Sequence, residues 1–240
     1  MDHFRSGAAA EIIMRQALQF LTIFPVPAPA GPPGRAAWAF AFVGVLLGLG
    51  AAALWPLKLG PLVTVIGLAI ITGGLHEDGL ADVCDAVRKY RSREKMLSIL
   101  KDSRIGAHGA LALIASFVFR WQALVLLQGD AWYRLPAAYG ISRAAMVLLA
   151  ASAPAVGEGL GRAFGESLPR WAFFMALLQV LLLSGLAGWP AGVWLVGANL
   201  VVLFLLRRWF MARLGGVTGD CLGAACQISE AVSLGVLAWV

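Results

Sequence analysis

Residues 36–56 read AAWAFAFVGVLLGLGAAALWP, an unbroken apolar run of 21 positions. A helix needs about 20 such residues to cross the hydrocarbon core of a bilayer, so this stretch decides the fold class: the chain enters a membrane. Outward from it, residues 61–75, 109–128, 135–152, 171–187, 191–206 and 221–240 are further apolar candidates, the first of them short and able to continue as helix into the polar stretch beyond. Residues 9–27 are only partly apolar and hold Pro25 and Pro27, which reads as an interfacial or re-entrant helix. The expected architecture is all-α: a polytopic integral membrane helical bundle of about seven spans plus that N-terminal helix, forming one membrane-embedded catalytic domain over residues 1–240.

Composition agrees. Of 240 residues, 60% are hydrophobic and 13% charged, against about 25% charged in soluble domains. That excludes an ordinary water-soluble enzyme and a disordered chain, and glycine and proline follow no repeat period. The net charge of +6 contains no uninterrupted basic run, so no nucleic-acid partner is expected. Cys84, Cys221 and Cys226 lack CxxC or zinc-finger spacing, which argues against a disulfide framework or a structural zinc. Glu11 and Arg15 interrupt the region where a signal peptide keeps an uncharged core, so no cleaved leader is expected.

Basic residues orient the spans. With the N-terminus inside, fifteen Lys and Arg fall in inside segments and only Lys58 and Arg134 outside. Trp55, Trp132, Trp171, Trp189, Trp209 and Trp239 sit near proposed span ends, where an aromatic belt belongs.

Residues 76–108, HEDGLADVCDAVRKYRSREKMLSILKDSRIGAH, break the apolar pattern with six of the 13 acidic and seven of the 19 basic residues. Chemistry is expected in this inside-facing segment. Asp78, Asp82 and Asp85 fall at i, i+4 and i+7, which stacks three carboxylates on one helix face. Such like charges suit a hard divalent cation, and Mg²⁺ takes carboxylate oxygens together with water and phosphate oxygens. The alternative is a solvated acidic face paired with Arg88, Lys89 or Arg91. Farther on, Lys101 and Arg104 supply cations, while Gly106 and Gly109 allow close backbone approach at a helix start. Asp102 or Ser103 serves there as a helix cap or in a site, and His108 as an interfacial histidine or a proton-transfer group.

Two charges lie inside spans. Arg143 and Glu230 must face the bundle interior or a wet cavity, and either pair with each other or serve a ligand. Arg120 packs between spans or snorkels, and no role is assigned to it. Gly215-Gly216-Val217-Thr218-Gly219-Asp220 is a third polar stretch, readable as a phosphate or Mg²⁺ contact or as a tight turn with an acidic cap.

In order, GGLHEDGLADVCDAV (73–87), RSREKMLSILKDSRIGAHGALALI (91–114), ISRAA (141–145) and GGVTGDCLGAA (215–225) resemble the adenosylcobinamide-GDP ribazoletransferase family, the cobalamin-5′-phosphate synthases. FLTIFPVP (20–27) and AFVGVLLGL (41–49) resemble the family's opening and first span, so the likeness runs over nearly the whole chain. Departures are Glu77 for a usual Leu, Ala86 for Gly, Val217 for Gln and Ile23 for Arg, with Glu77 adding a fourth acid beside the expected metal site.

The resemblance implies a bacterial inner-membrane enzyme of nucleotide loop assembly in cobalamin biosynthesis. Adenosylcobinamide-GDP would condense with α-ribazole or its 5′-phosphate and release GMP. It implies Mg²⁺ as cofactor, held by Asp78, Asp82, Asp85 and Asp220. Lys101, Ser103, Gly106, Arg91, Arg143, Thr218 and Gly219 would bind substrate, Arg104 would stabilise the phosphoryl oxygens, and Asp102 or His108 would take the hydroxyl proton. The partners are the two substrates and the lipid bilayer, with a second copy of the chain or other late corrinoid enzymes left open. A CDP-alcohol phosphotransferase would need Arg where Asp82 stands, and a transporter would show inverted repeats that this sequence lacks. Because the nucleotide is larger than one loop can enclose, residues 102–108 and 218–220 are expected to converge around the Asp78–Asp85 helix.

Overall fold

The computed structural model describes residues 2–57, 60–87, 91–102, 104–127 and 131–240, and is helical almost throughout. Helix α1 (Asp2–Leu21) precedes an extended segment and a short 3-10 turn at Pro33–Ala36. There follow α2 (Ala37–Leu54), α3 (Gly60–Ile71), α4 (Leu75–Ala86) and the short α5 (Arg93–Ile99). Then come α6 (Ala107–Leu126), α7 (Leu135–Ser152), the short α8 (Leu160–Glu166), α9 (Ala172–Leu186), α10 (Ala191–Leu214) and α11 (Gly219–Trp239).

Helix α7 is the axis of the bundle. It is buried from Leu135 to Ala150 with one exception, and α2, α9 and α11 pack on it. Apolar side chains of a membrane protein gain little by leaving lipid for protein, so its helices hold together by close backbone approach and by polar contacts. The α2–α7 seam shows the first. A Cβ on Gly44 would stand 2.3 Å from the Tyr139 carbonyl oxygen, and one on Gly48 would stand 2.4 Å from Pro136 Cα. Helices α6 and α10 are the least buried of the long apolar helices, and along their middles they expose apolar residues including Leu111, Ile114, Val118, Val201 and Phe204, a lipid-facing surface.

Among the described residues, five helical segments have the length and apolarity of membrane spans: Pro33–Leu54, Ala107–Leu126, Trp132–Ser152, Ala191–Leu214 and Gly219–Trp239. The expected span at 61–75 does not run on as one helix. Gly73 and Gly74 adopt φ of +63° and +68°, backbone that only glycine enters freely, and α4 leaves α3 at 87°. Counted as one, this bent pair makes a sixth span; α9, at 15 residues, is a shorter apolar helix. The expected seven segments are thus all helical, but two of them are not full straight spans. Helix α1 is not among the span-length apolar helices. Lys58 lies outside the described residues.

The α2–α7 seam makes a prediction. Gly44→Val should destabilise the detergent-solubilised protein by about 1–3 kcal/mol, because overpacking forces the helices apart. Gly50→Ala, where an added Cβ meets nothing within 4 Å, should leave the melting temperature unchanged. Equal melting temperatures for the two variants would contradict this packing.

Candidate active site

Helix α4 carries charge on two faces. Asp78 is exposed and Asp82 and Asp85 half-buried on one side, whereas His76, Glu77, Leu80, Ala81 and Val83 are buried on the other. The bend at Gly73–Gly74 sets which side is which. Glu77 therefore does not join the acidic face. Its Oε1 accepts hydrogen bonds from Arg120 at 3.3 Å and from Gln227 at 2.8 Å inside the bundle.

Arg120 also donates to Glu230 Oε1 at 2.9 Å, and Arg143 donates to the other oxygen of Glu230 and, at 2.8 Å, to Ser142 Oγ. Four charges on α4, α6, α7 and α11 thus neutralise one another, each side chain less than a tenth exposed. This corrects the substrate-binding role expected of Arg143: its side chain is 1% exposed, pairs with Glu230 and does not line the cavity beside Asp78 and Asp220. Arg120, given no role from sequence, is the bridging member.

Asp85 has a different employment from the one expected. Its carboxylate accepts the backbone N–H of Gly106 at 2.6 Å and of Gly109 at 2.9 Å. The anion that the N-terminus of α6 attracts is therefore the chain's own Asp85. The carboxylate anchors the 104–109 segment to α4, and Arg91 donates to the Asp85 carbonyl. As a metal ligand Asp85 is displaced by this capping role.

The start of α11 meets α4 directly. A Cβ on Gly79 would stand 2.8 Å from the Asp220 carbonyl oxygen, so glycine is required for the approach. Thr218 caps α11, accepting the Cys221 N–H at 3.4 Å, and its hydroxyl donates to the Asp220 carboxylate at 3.2 Å. Asp220, readable from the sequence as a metal contact or as an acidic cap, thus sits in the first helical turn, with Thr218 as the cap. On Asp82 the like charges of Asp78, Asp220, Asp85 and Asp102 all bear.

A cavity of about 670 Å³ opens beside these groups. Asp78, Lys101, Thr218, Gly219 and Asp220 line it together with Glu158, His76 and apolar residues including Phe20, Phe40, Phe164 and Leu222. The 670 Å³ falls in the range of about 300–1,000 Å³ usual for ligand sites. The expected convergence holds in part: the 218–220 stretch and α4 share the cavity, and the 104–109 segment is tied to α4 from outside through Asp85. Asp102, Arg104, Gly106, His108 and Arg91 do not line it. Arg104 donates to Asp102 from its side chain at 2.7–3.3 Å and from its backbone at 3.1 Å, holding that carboxyl down, to about 2. So weak a base, outside the cavity, does not fit the proton-accepting role expected of Asp102, and exposed His108 does not either. Ser103, Arg88 and Lys89 lie outside the described residues.

The donor set discriminates among metals. Among the described residues no three His, Cys, Asp or Glu side chains stand close enough to enclose an ion, which does not suit a structural zinc. The two carboxylates on the cavity, Asp78 and Asp220, do suit Mg²⁺, which binds through one or two carboxylates and completes its octahedron with water and phosphate oxygens; Asp82 is not part of the cavity lining.

A family model described as cobalamin-5-phosphate synthase matches residues 13–238. The adenosylcobinamide-GDP ribazoletransferase of Herpetosiphon aurantiacus is 38% identical over 94% of this chain and 95% of its own. That of a Roseiflexus species is 37% identical over 92% and 87%, and that of an Escherichia coli strain 37% over 90% and 95%. No solved structure matches the chain.

Asp85→Ala should release the start of α6. Loss of a cap costs about 0.5–2 kcal/mol, so amide hydrogens of Gly106 and Gly109 should exchange several-fold faster in the variant. Unchanged exchange at both amides would show that Asp85 does not hold this segment.

Proposed function

The chain belongs to the cobalamin-5-phosphate synthase family, and from that premise we propose that it joins adenosylcobinamide-GDP to α-ribazole or its 5′-phosphate with release of GMP, in a Mg²⁺-dependent reaction. The observation that carries this reading is the meeting of Asp78, Thr218, Asp220 and Lys101 on one cavity, from three stretches far apart in sequence. An acidic wall and a cation at one opening are what a diphosphate and its metal need.

In the proposed reaction a ribose hydroxyl oxygen bonds to the cobinamide-side phosphorus, the bond from that phosphorus to the GMP oxygen breaks, and GMP departs with the electron pair. Negative charge spreads over the phosphoryl oxygens, so positioning and cations dominate. When bound, Mg²⁺ would supply charge neutralisation at the diphosphate, with the cavity carboxylates Asp78 and Asp220 as the residues to hold it. Lys101 takes a phosphate oxygen as a point charge. Thr218 fixes the Asp220 carboxylate through its hydroxyl, and the cavity carboxylates are the bases within reach of the hydroxyl proton. The apolar wall with Phe20, Phe40 and Phe164 excludes water, so that transfer to the ribose competes with hydrolysis.

The excess of basic residues in the segments around 76–108 and 207–220 supports placing this cavity at the cytoplasmic face of a bacterial inner membrane.

The experiment is direct. Purified chain in lipid nanodiscs, given adenosylcobinamide-GDP, α-ribazole and Mg²⁺, should release GMP, and chelation should stop the release reversibly. Asp78→Asn and Asp220→Asn should each lower turnover by at least about 100-fold while their melting temperatures stay near that of the parent. Absence of GMP, or near-normal turnover in either variant, would refute the assignment.

A further inference from the structure

Among the described residues lining the cavity, Lys101 is the one lysine or arginine, and the carboxylates are three, Asp78, Glu158 and Asp220. Its ammonium is engaged: Nζ stands 3.0 Å from Glu158 Oε2, across 57 residues of sequence. The pair bridges the end of α5 to the loop before α8, and both side chains are more than half exposed. The Glu158 loop is fixed on either side. Val156 N–H donates to the Val217 carbonyl and Val217 N–H to the Pro154 carbonyl, each at 2.9 Å. On the other side Phe164 of α8 is buried, 5.1 Å from the Phe40 ring. Between these anchors the Glu158 side chain is 79% exposed, and Lys101 is its ion-pair partner.

We propose that Glu158 is a placeholder for the substrate's phosphate: it holds the Lys101 ammonium at the cavity opening until a nucleoside diphosphate group takes that ammonium over. The inference rests on the diphosphate substrate proposed above and assigns a specificity role to Glu158. The chemistry is an exchange of one oxyanion for another on a single cation, with no covalent step. An exposed carboxylate–ammonium pair is weak, so it yields to a ligand carrying two or more charges and a bound metal. A ligand with a single weak charge gains too little from Lys101 to displace Glu158. Without an anion at this place Lys101, a long flexible side chain, would range over the surface, so the pair also keeps it poised at the opening.

A double-mutant cycle tests the placeholder, with GDP as the probe and the full chain in nanodiscs with Mg²⁺. The salt is physiological, which screens exposed charges beyond about 8 Å. Glu158→Gln should tighten GDP binding about two- to five-fold, and Lys101→Gln should weaken it about ten-fold. In the Lys101→Gln background, Glu158→Gln should have no effect, because the ammonium that both anions share is gone. A gain of the same size in both backgrounds would mean a general charge effect and would overturn the placeholder. So would GDP binding indifferent to residue 158, and in both cases the substrate assignment would stand. GDP binding to none of the four proteins would overturn the placeholder together with the substrate assignment.

Discussion

A charge placed at the middle of a bilayer costs about 2.5–3.5 kcal/mol or more, and this chain buries four of them in one place. Glu77, Arg120, Arg143 and Glu230 make a neutral chain of contacts, with Gln227 and Ser142 completing hydrogen bonds at its two ends. Each residue comes from a different helix, so the set closes only when α4, α6, α7 and α11 are in register. Apolar packing against lipid is poorly directional; this network is directional, and removing one member leaves the buried set with an uncompensated charge.

The position of the site follows. Glu77 and Asp78 are neighbours in sequence but point about 100° apart on a helix of 3.6 residues per turn. With Glu77 held in the core by Arg120, Asp78 and Asp82 are turned outward toward the start of α11, where Thr218 presents Asp220. The same helix, one turn on, uses Asp85 to draw in the 104–109 segment. A structural face and a functional face thus share 12 residues of α4. The abrupt bend at Gly73–Gly74 makes this arrangement possible, since a straight continuation of α3 would direct the helix elsewhere.

Hydrophobic runs are local features, which is why the spans expected at 36–56, 109–128, 135–152 and 221–240 agree with the helices to within about two residues. The acidic face of α4 was legible for the same reason, as a spacing of i, i+4 and i+7. Partners were not. Arg120 meets Glu77 across 43 residues and Glu230 across 110, and a lone arginine in an apolar run carries no mark of which acid it will meet. Asp85 looked like its neighbours Asp78 and Asp82 because its amide partners come from another segment. Asp102 and Arg104 looked like site residues because cations and acids beside glycines are the letters of a phosphate loop. In the structure they satisfy each other, two residues apart. The bend was misjudged because Gly73 and Gly74 lie between two segments each able to be helical; their φ angles carry the information, and periodicity does not.

The central claim is that the buried network, as a neutral set, holds the carboxylate-bearing helices in place. It is tested most directly by comparing Arg120→Met with the pair Arg120→Met/Glu77→Met by thermal unfolding in detergent. The single variant leaves three charges, two of them acidic, and should lose about 3–5 kcal/mol. The pair leaves Arg143 with Glu230 and apolar side chains in the vacated space, and should recover most of that loss. If the single and double variants unfold at the same temperature, neutrality of the set is not what holds these helices together.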